Sequence, residues 1–280
     1  MRARPTGLLV VVTAAASLLG SAGTAHAGAT SALVYDYSLA GVSTASVPNS
    51  APAGPTTDLS LYGAWSAQPD SVTFSGDTSG HRSIGYALPT AGTHTLDAGP
   101  GQSVGFGARF VYRPPAGGTC FRDSPNLTQV GRFNDYAAQA KIQLSKCADS
   151  TKAVFAECRF AGSLTPGTVT PVMSTLPMIP GKTYLVKCQK TPDASGRAKV
   201  TLTVTKKDPI AGNQTRVDTF AVAATGAIRT TEALSVANKY PLPAAPNNTD
   251  QFVGNIHEAT YCVGSTTDVT SCLAAYLPAS

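Results

Sequence analysis

The most regular feature of the sequence is an alternation of apolar and polar side chains, clearest in SVGFGARFVYRP at residues 103–114. Val104, Phe106 and Phe110 fall on one face of an extended chain there, and Arg109 falls on the other. Successive side chains of a β-strand point to opposite faces of its sheet. The period of two therefore predicts a strand with one face against a core.

Similar runs recur along the chain and predict half-buried strands of antiparallel sheets. In AQAKIQLS and KAVFAECRF, Lys141, Gln143, Glu157 and Arg159 fall on the polar side. The apolar sets of the four clearest further runs are Ala140, Ile142 and Leu144; Val154, Ala156, Cys158 and Phe160; Tyr184, Val186 and Cys188; and Val200, Leu202 and Val204. No 3.6-residue apolar period predicts a helix after residue 27, and no internal repeat is evident.

Shorter runs predict the remaining strands. These lie near residues 33–37, 71–75, 83–88, 126–133 and 215–222, and in a closing block at 234–262 that reads LSVANKYPLPAAPNNTDQFVGNIHEATYC. The Ser-, Ala- and Pro-rich stretch at 38–57 is predicted to be a long surface loop. In the closing block, Phe252 and Ile256 are predicted to fill the core, and Gly254 between them permits close backbone approach. Low charge with 26 Gly and 20 Pro is typical of an all-β protein with many turns.

The first 27 residues have the pattern of a secretory signal peptide. Arg2 and Arg4 precede an apolar run over residues 8–19, and Ala25 and Ala27 form an AxA cleavage site. The run is shorter than the roughly 20 residues that span a bilayer. We therefore expect a secreted, extracellular protein without a membrane span. Residues 28–280 are expected to form one domain, because sandwiches of about this size are common.

Six cysteines lie in the exported part, where disulfides persist. Cys158 and Cys188 both fall on the apolar faces of their strands, which suits a bridge between neighbouring or facing strands. Closing a loop of about 30 residues stabilises a fold by roughly 3 to 4 kcal/mol on the chain-entropy model. Proximity along the chain pairs the others as Cys120 with Cys147 and Cys262 with Cys272.

Charge argues against a nucleic-acid partner. Without Arg2 and Arg4, 19 basic residues face 16 acidic ones. Nucleic-acid binding normally shows clustered Lys and Arg, and the densest cluster here is only Lys206 with Lys207.

The order of the segments resembles a known family. QVGRFND, QAKIQLS, ECRFAG, GKTYLVKCQK, TLTVTKKD, TGAIRTTEALSVANK and DQFVGNIHEATY follow one another as in the laminin G-like domain of the concanavalin A-like lectin and glucanase superfamily, in a secreted bacterial form. The resemblance covers about residues 58–265. It implies a jelly-roll sandwich of two curved antiparallel sheets, with 12 to 14 strands and neighbouring termini.

Catalytic groupings are absent from the sequence. Glucanases of this superfamily place carboxylates in a pattern like ExDxxE, because an acid and a nucleophile must flank the scissile bond. Glu157, Glu232 and Glu258 have no acidic residue two or five positions away. There is no GxSxG elbow, and His81, His94 and His257 lack HExxH spacing. We therefore expect a non-catalytic protein, with His257 as a surface or hydrogen-bonded groove residue.

Binding residues are predicted in the loops. The resemblance implies one structural calcium ion at the sandwich rim, for which the oxygen ligands are Asn134, Asp135 and Asp250, although Asn and Asp are also ordinary turn formers. Sugar binding uses aromatic faces beside amides, and the candidates are Trp65, Tyr136, Tyr240, Asn247 and Asn248. Each aromatic candidate is also a plausible packing residue, and for Trp65 a core position is favoured.

These observations predict a monomeric binding module that recognises extracellular carbohydrate or protein surfaces. Two alternatives stay open. One is a polysaccharide-acting hydrolase or lyase with an unrecognised site, for which Glu157 and Glu258 would be tested. The other is a structural envelope protein.

Overall fold

The computed structural model describes residues 32–52, 54–75, 82–89, 96–114, 124–131, 139–145, 153–162, 170–193, 197–222, 226–228, 233–240 and 250–279. Within these residues the chain forms 16 strands and one helix. In chain order they are β1 Leu33–Ser38, β2 Ser46–Val47, β3 Leu59–Gly63, β4 Trp65–Gln68, β5 Ser71–Ser75, β6 Ser83–Ala87, β7 Ser103–Tyr112, β8 Asn126–Gly131, β9 Gln139–Leu144, β10 Val154–Ala161, β11 Thr170–Met178, β12 Thr183–Pro192, β13 Ala198–Lys206, β14 Gln214–Val222, β15 Leu234–Val236, β16 Val253–Gly264 and α1 Thr266–Tyr276.

The strands form two antiparallel sheets. The first sheet has the order β14-β13-β12-β7-β16-β5-β4, with β1 also paired to β16. The second sheet has the order β11-β10-β9-β8-β15-β6-β3-β2. The predicted all-β, disulfide-stabilised jelly-roll sandwich is thus confirmed. The described strands exceed the 12 to 14 that the resemblance implied, because short edge strands such as β2 are included.

The alternation of side chains placed the core correctly. The five apolar residues of β7 that share a face are all buried in the main core, as are the apolar sets predicted for β9, β10, β12 and β13. One expectation was wrong: β8 and β9 are not half-buried, since every residue of both strands is buried, including the polar ones.

Two disulfides were predicted correctly. Cys158 of β10 bonds Cys188 of β12, with Cα atoms 6.0 Å apart, and so joins the inner faces of the two sheets. Cys262 bonds Cys272 with Cα atoms 6.5 Å apart. The predicted partners Cys120 and Cys147 lie outside the described residues, as do residues 1–27.

The sequence-based expectation of no helix was wrong at the end of the chain. Ser265 caps α1 by accepting a hydrogen bond from the backbone N–H of Asp268 at 3.1 Å. The buried residues of α1 follow helical spacing and comprise Val269, Cys272, Leu273 and Tyr276. They form a second apolar cluster on the outer face of the first sheet. Gly105 and Gly107 of β7 make room for it, because a Cβ atom at either position would meet α1 or Leu277 at 2.5 Å.

The closing block divides between the sheets. β15 belongs to the second sheet and β16 to the first. Phe252 and Ile256 are fully buried, as expected. Gly254 has a φ of 144°, and a Cβ atom there would lie 2.3 Å from the carbonyl oxygen of Val111, so the predicted close approach is confirmed. The segment 38–57, expected to be a loop, contains the short strand β2.

Candidate functional site

The outer side of the second sheet carries an unusual set of buried polar side chains. They lie opposite the core residues because side chains alternate along each strand. We call this surface the polar face; its members are Tyr86, Asn126, Gln129, Lys141, Gln143, Glu157, Arg159 and Ser235. Asn126, Gln129, Gln143, Glu157 and Ser235 are each less than 9% exposed. Buried polar groups are costly unless they are hydrogen-bonded, so this set calls for an account of its bonds.

Strand register arranges the polar face in two rows. The first row crosses five strands, β6, β15, β8, β9 and β10, through Tyr86, Ser235, Gln129, Lys141 and Arg159. The second row crosses β8, β9 and β10 through Asn126, Gln143 and Glu157. Neighbouring strands lie about 4.8 Å apart, so the rows form a ladder of polar groups across the sheet.

Glu157 is held by two neighbours in the polar face. Gln143 donates Nε2–H to its Oε2 at 2.6 Å, and Arg159 donates Nε–H to its Oε1 at 2.8 Å. A second guanidinium nitrogen of Arg159 lies 3.2 Å from Oε2. The Glu157 carboxylate is therefore neutralised by the protein itself.

The amides of the polar face bind one another. Asn126 donates its Nδ2–H to Oε1 of Gln129 at 2.7 Å. Gln129 in turn donates to the carbonyl oxygen of Gly131 at 2.7 Å. Oδ1 of Asn126 accepts a long hydrogen bond, at 3.4 Å, from the Lys141 ammonium. The amide orientations are consequently fixed in a chain that ends at Lys141.

Burial lowers the pKa of Lys141 to about 8. The largest opposing influence is the negative charge of Asp250, while the charge of Arg159 adds to the lowering. Near neutral pH the amine is thus still protonated but is much closer to neutrality than an exposed lysine.

One edge of the polar face is bounded by the segment before β16. The ring of Tyr240 packs on Tyr86 with centroids 4.9 Å apart and planes inclined by 34°. Beside it, Lys239 forms an ion pair with Asp250. An aromatic pair therefore stands at the end of the first row, next to a neutralised charge pair.

The structure places three of the sequence-predicted binding and metal residues. Tyr240 and Asp250 lie beside the polar face, whereas Trp65 lies in β4 of the first sheet, half-buried against the main core. The other candidates lie outside the described residues and are Asn134, Asp135, Tyr136, Asn247 and Asn248. The sugar-binding role of this set stays a prediction.

The calcium site also stays a prediction. Of its three suggested ligands only Asp250 is described, and its carboxylate forms an ion pair with the Lys239 ammonium. The described part of the chain contains no cluster of three or more His, Cys, Asp or Glu side chains suited to a metal.

The glutamates considered for catalysis lie on different sheets. Glu157 belongs to the polar face, but Glu258 lies on the outer face of the first sheet, 3.5 Å from Arg109. Burial, and then the charge of Asp36, raise the pKa of Glu258 to about 7. Since the two sheets of the sandwich separate them, Glu157 and Glu258 cannot flank one glycosidic bond.

His257 lies apart from the polar face, at a bulge in β16. Its Nδ1 is 2.9 Å from the carbonyl oxygen of Asp70, and its side chain is 12% exposed. His257 is therefore largely buried and hydrogen-bonded through Nδ1, and it is not a surface residue.

Sequence reasoning did not identify the polar face as a candidate site. The alternation in QAKIQLS and ECRF places Lys141, Gln143, Glu157 and Arg159 on the polar sides of their strands. The missing information was which strands are neighbours, because Ser235 is 106 residues from Gln129 in the chain. The one available signal was the choice of amides, rather than small hydroxyl residues, at those alternating positions.

No family model matches the sequence, and no curated protein matches it. Solved structures of similar fold include the basic winged bean lectin with Tn-antigen, at 12% identity and a TM-score of 0.39, covering 83% of this chain and 98% of that chain. The binding domain of botulinum neurotoxin DC in complex with rat synaptotagmin II has 9% identity and a TM-score of 0.46, and the match covers 86% of this chain and 50% of that chain. The PL-14 alginate lyase of Aplysia kurodai has 7% identity and a TM-score of 0.35, covering 76% and 85%. These likenesses concern the fold alone.

No helix among the described residues is long and apolar enough to cross a bilayer.

Proposed function

We propose that the polar face binds an extended carbohydrate chain and that the protein is a non-catalytic, extracellular binding module. The observation that carries this proposal is the register of Gln129, Lys141 and Arg159, which places hydrogen-bonding groups at strand spacing across the sheet. A sugar chain lying along this row would meet one polar side chain per strand.

The chemistry of the polar face suits sugar hydroxyls. A side-chain amide both donates and accepts hydrogen bonds, and so does a hydroxyl. Asn126 and Gln129 are already oriented by their mutual bond, so binding would not have to order them. Tyr86 and Tyr240 add an aromatic surface at the end of the row, on which the apolar face of a sugar ring can pack.

The proposed extracellular location is supported by the disulfides and by the signal-peptide pattern predicted for residues 1–27. Two described disulfides suit an oxidising, extracellular environment. We also propose that the protein is a laminin G-like domain and a monomer. An extracellular protein surface is the second class of partner, and the amide-rich face favours a glycan over it.

The test compares two glutamines on opposite sheets. Gln129→Ala removes a polar-face amide, and Gln189→Ala is the matched control, because Gln189 lies on the first sheet and bonds Thr270. Binding to an array of immobilised polysaccharides would be measured after circular dichroism has shown that both variants fold. We expect Gln129→Ala to weaken binding of the wild-type ligand about tenfold, the cost of one buried hydrogen bond, and Gln189→Ala to leave it unchanged.

Three outcomes would contradict the proposal. Absence of polysaccharide binding by the wild type would contradict the proposed function. Equal losses of affinity in both variants would contradict the proposed site. Release of reducing sugars, or of unsaturated products that absorb ultraviolet light, would show an enzyme instead of a binding module.

A further inference from the structure

Among the described residues near the polar face, the cations outnumber the anions. Glu157 is engaged by Arg159 and Gln143, and Asp250 is engaged by Lys239. Each acidic group therefore already has a positive or donating partner supplied by the protein. Of the described cations around this face, Lys141 is the one without an acidic partner.

Lys141 has little to stabilise its charge within the described part of the chain. The residue is only 8% exposed, and its one hydrogen bond there, to the neutral amide of Asn126, is long at 3.4 Å. No described carboxylate lies within ion-pairing distance of its ammonium, which has three N–H donors. A buried charge without a partner is strongly unfavourable, so a structure that retains one is suited to receive the opposite charge from outside.

We infer that the polar face takes an anionic sugar unit, whose carboxylate or sulfate group binds the Lys141 ammonium between Gln129 and Arg159. This inference rests on the proposed function and names its ligand class. Gln129 and Arg159 are the register neighbours of Lys141 on either side, so an anion at Lys141 would also lie within the reach of an amide and a guanidinium. Charge-assisted hydrogen bonds of this kind are about twice as strong as neutral ones.

Because the pKa of Lys141 is lowered, affinity for an anionic ligand should depend on pH. The charged groups that face Lys141 are Glu157 and Arg159 from β10, and Lys239 and Asp250 from the segment before β16, while β8 contributes only amides. Because Lys141 has a pKa of about 8 without ligand, its ammonium is lost as pH rises above that value. Affinity for an anionic polymer should therefore fall above about pH 8, with the midpoint displaced upward as the anion stabilises the ammonium.

The experiment uses the full protein and four soluble polymers. Polygalacturonate and its carboxyl-reduced form test the carboxylate, and dextran sulfate and dextran test the sulfate. Affinities would be measured by calorimetry for the wild type, Lys141→Met and Lys141→Arg. Lys199→Met is the charge-matched control, because it removes an exposed lysine of β13 in the first sheet.

We expect the wild type to prefer one charged polymer over its neutral counterpart at least tenfold at pH 6.5. Lys141→Met should lose this preference, whereas Lys199→Met should keep it. Lys141→Arg should keep the preference and lose the fall above pH 8, because arginine stays protonated there. Folding of each variant would be checked by circular dichroism.

The outcomes separate the inference from the proposed function. Equal affinity for charged and neutral polymers, still sensitive to Gln129→Ala, would overturn the anionic ligand but keep the carbohydrate site. Anion preference that Lys141→Met leaves intact would overturn the role of Lys141. No binding to any polymer or array glycan would contradict both.

Discussion

At the scale of single residues, Lys190 shows that the interior of the sandwich tolerates a buried lysine. It follows Tyr184, Val186 and Cys188 in the alternation of β12 and therefore points into the sandwich, where it is 1% exposed. Its ammonium reaches the carbonyl oxygen of Gly226 at 3.4 Å. Burial lowers the pKa of Lys190 to about 8. The folded protein thus carries a charge at neutral pH that its surroundings disfavour.

We predict that Lys190→Met raises the free energy of unfolding at pH 7 by up to about 3 kcal/mol, the equivalent of the pKa difference from an ordinary lysine. Between pH 8 and 10.5 the unfolded wild type binds more protons than the folded one, so its stability rises with pH there. The gain from methionine should shrink over the same range. Urea unfolding at pH 7 and 9.5 measures both effects.

Lys199→Met, on the neighbouring strand but exposed, is the control and should change stability little at either pH. Lys141 also has a pKa of about 8, so part of the pH slope should remain in Lys190→Met. A variant that is less stable than the wild type at pH 7 would contradict the prediction.

The alternation of apolar and polar residues predicted which strand faces meet the core, and where it failed there is a physical reason. It identified which face of β7, β9, β10, β12 and β13 meets the core, because burial of one face imposes a period of two. It also treated Lys141 and Gln143 as solvated. Their burial depends on neighbours across the sheet, and that information is not local in the sequence.

At the scale of elements, α1 packs on the first sheet where large apolar side chains of the helix lie against glycine of β7. Gly105 lies under Val269 and Leu273, which a Cβ atom at that position would approach to 2.5 and 2.8 Å. The signals for this helix were present as the Ser265 and Asp268 cap and the apolar spacing of Val269, Cys272 and Leu273. They were missed because one apolar stripe on a single short helix is a weak pattern in an all-β chain.

We predict that Gly105→Ala lowers the free energy of unfolding by about 1 to 3 kcal/mol, since the added methyl group overpacks the contact with α1. Gly101→Ala is the matched control, because a Cβ atom there would meet nothing within 4 Å. Both variants lower the backbone freedom of the unfolded chain equally, so their difference isolates the packing effect. Denaturant unfolding measures it, and equal stability of the two variants would contradict the prediction.

At the scale of the whole molecule, Cys158–Cys188 connects the two sheets through the core. The strand phase of these cysteines predicted the bond, although not whether the partner strands were neighbours or faced each other. The family resemblance implied a jelly roll of two curved antiparallel sheets, but the order of the strands within each sheet was not predicted. Pattern alone could not supply that order, because partners such as β1 and β16 lie at opposite ends of the described chain.

We predict that replacing Cys158 and Cys188 with Ala lowers the free energy of unfolding by roughly 3 to 4 kcal/mol, and that replacing Cys262 and Cys272 costs less. The closed loops differ, with sequence separations of 30 and 10, and the entropy restored to the unfolded chain grows with loop length. Urea unfolding of both double variants tests the order. A larger loss from the Cys262 and Cys272 variant would contradict it.

The position of β16 also determines when the protein can fold. This strand pairs with β7, β5 and β1, and Thr260 bonds Asp36 across 224 residues of sequence. A growing chain that has not yet reached Val253 therefore leaves three strands without their central partner. Contacts so distant in sequence form slowly, because a long loop must close first. The first sheet is thus completed only after β16 has been synthesised, although β7, β12, β13 and β14 can pair before that.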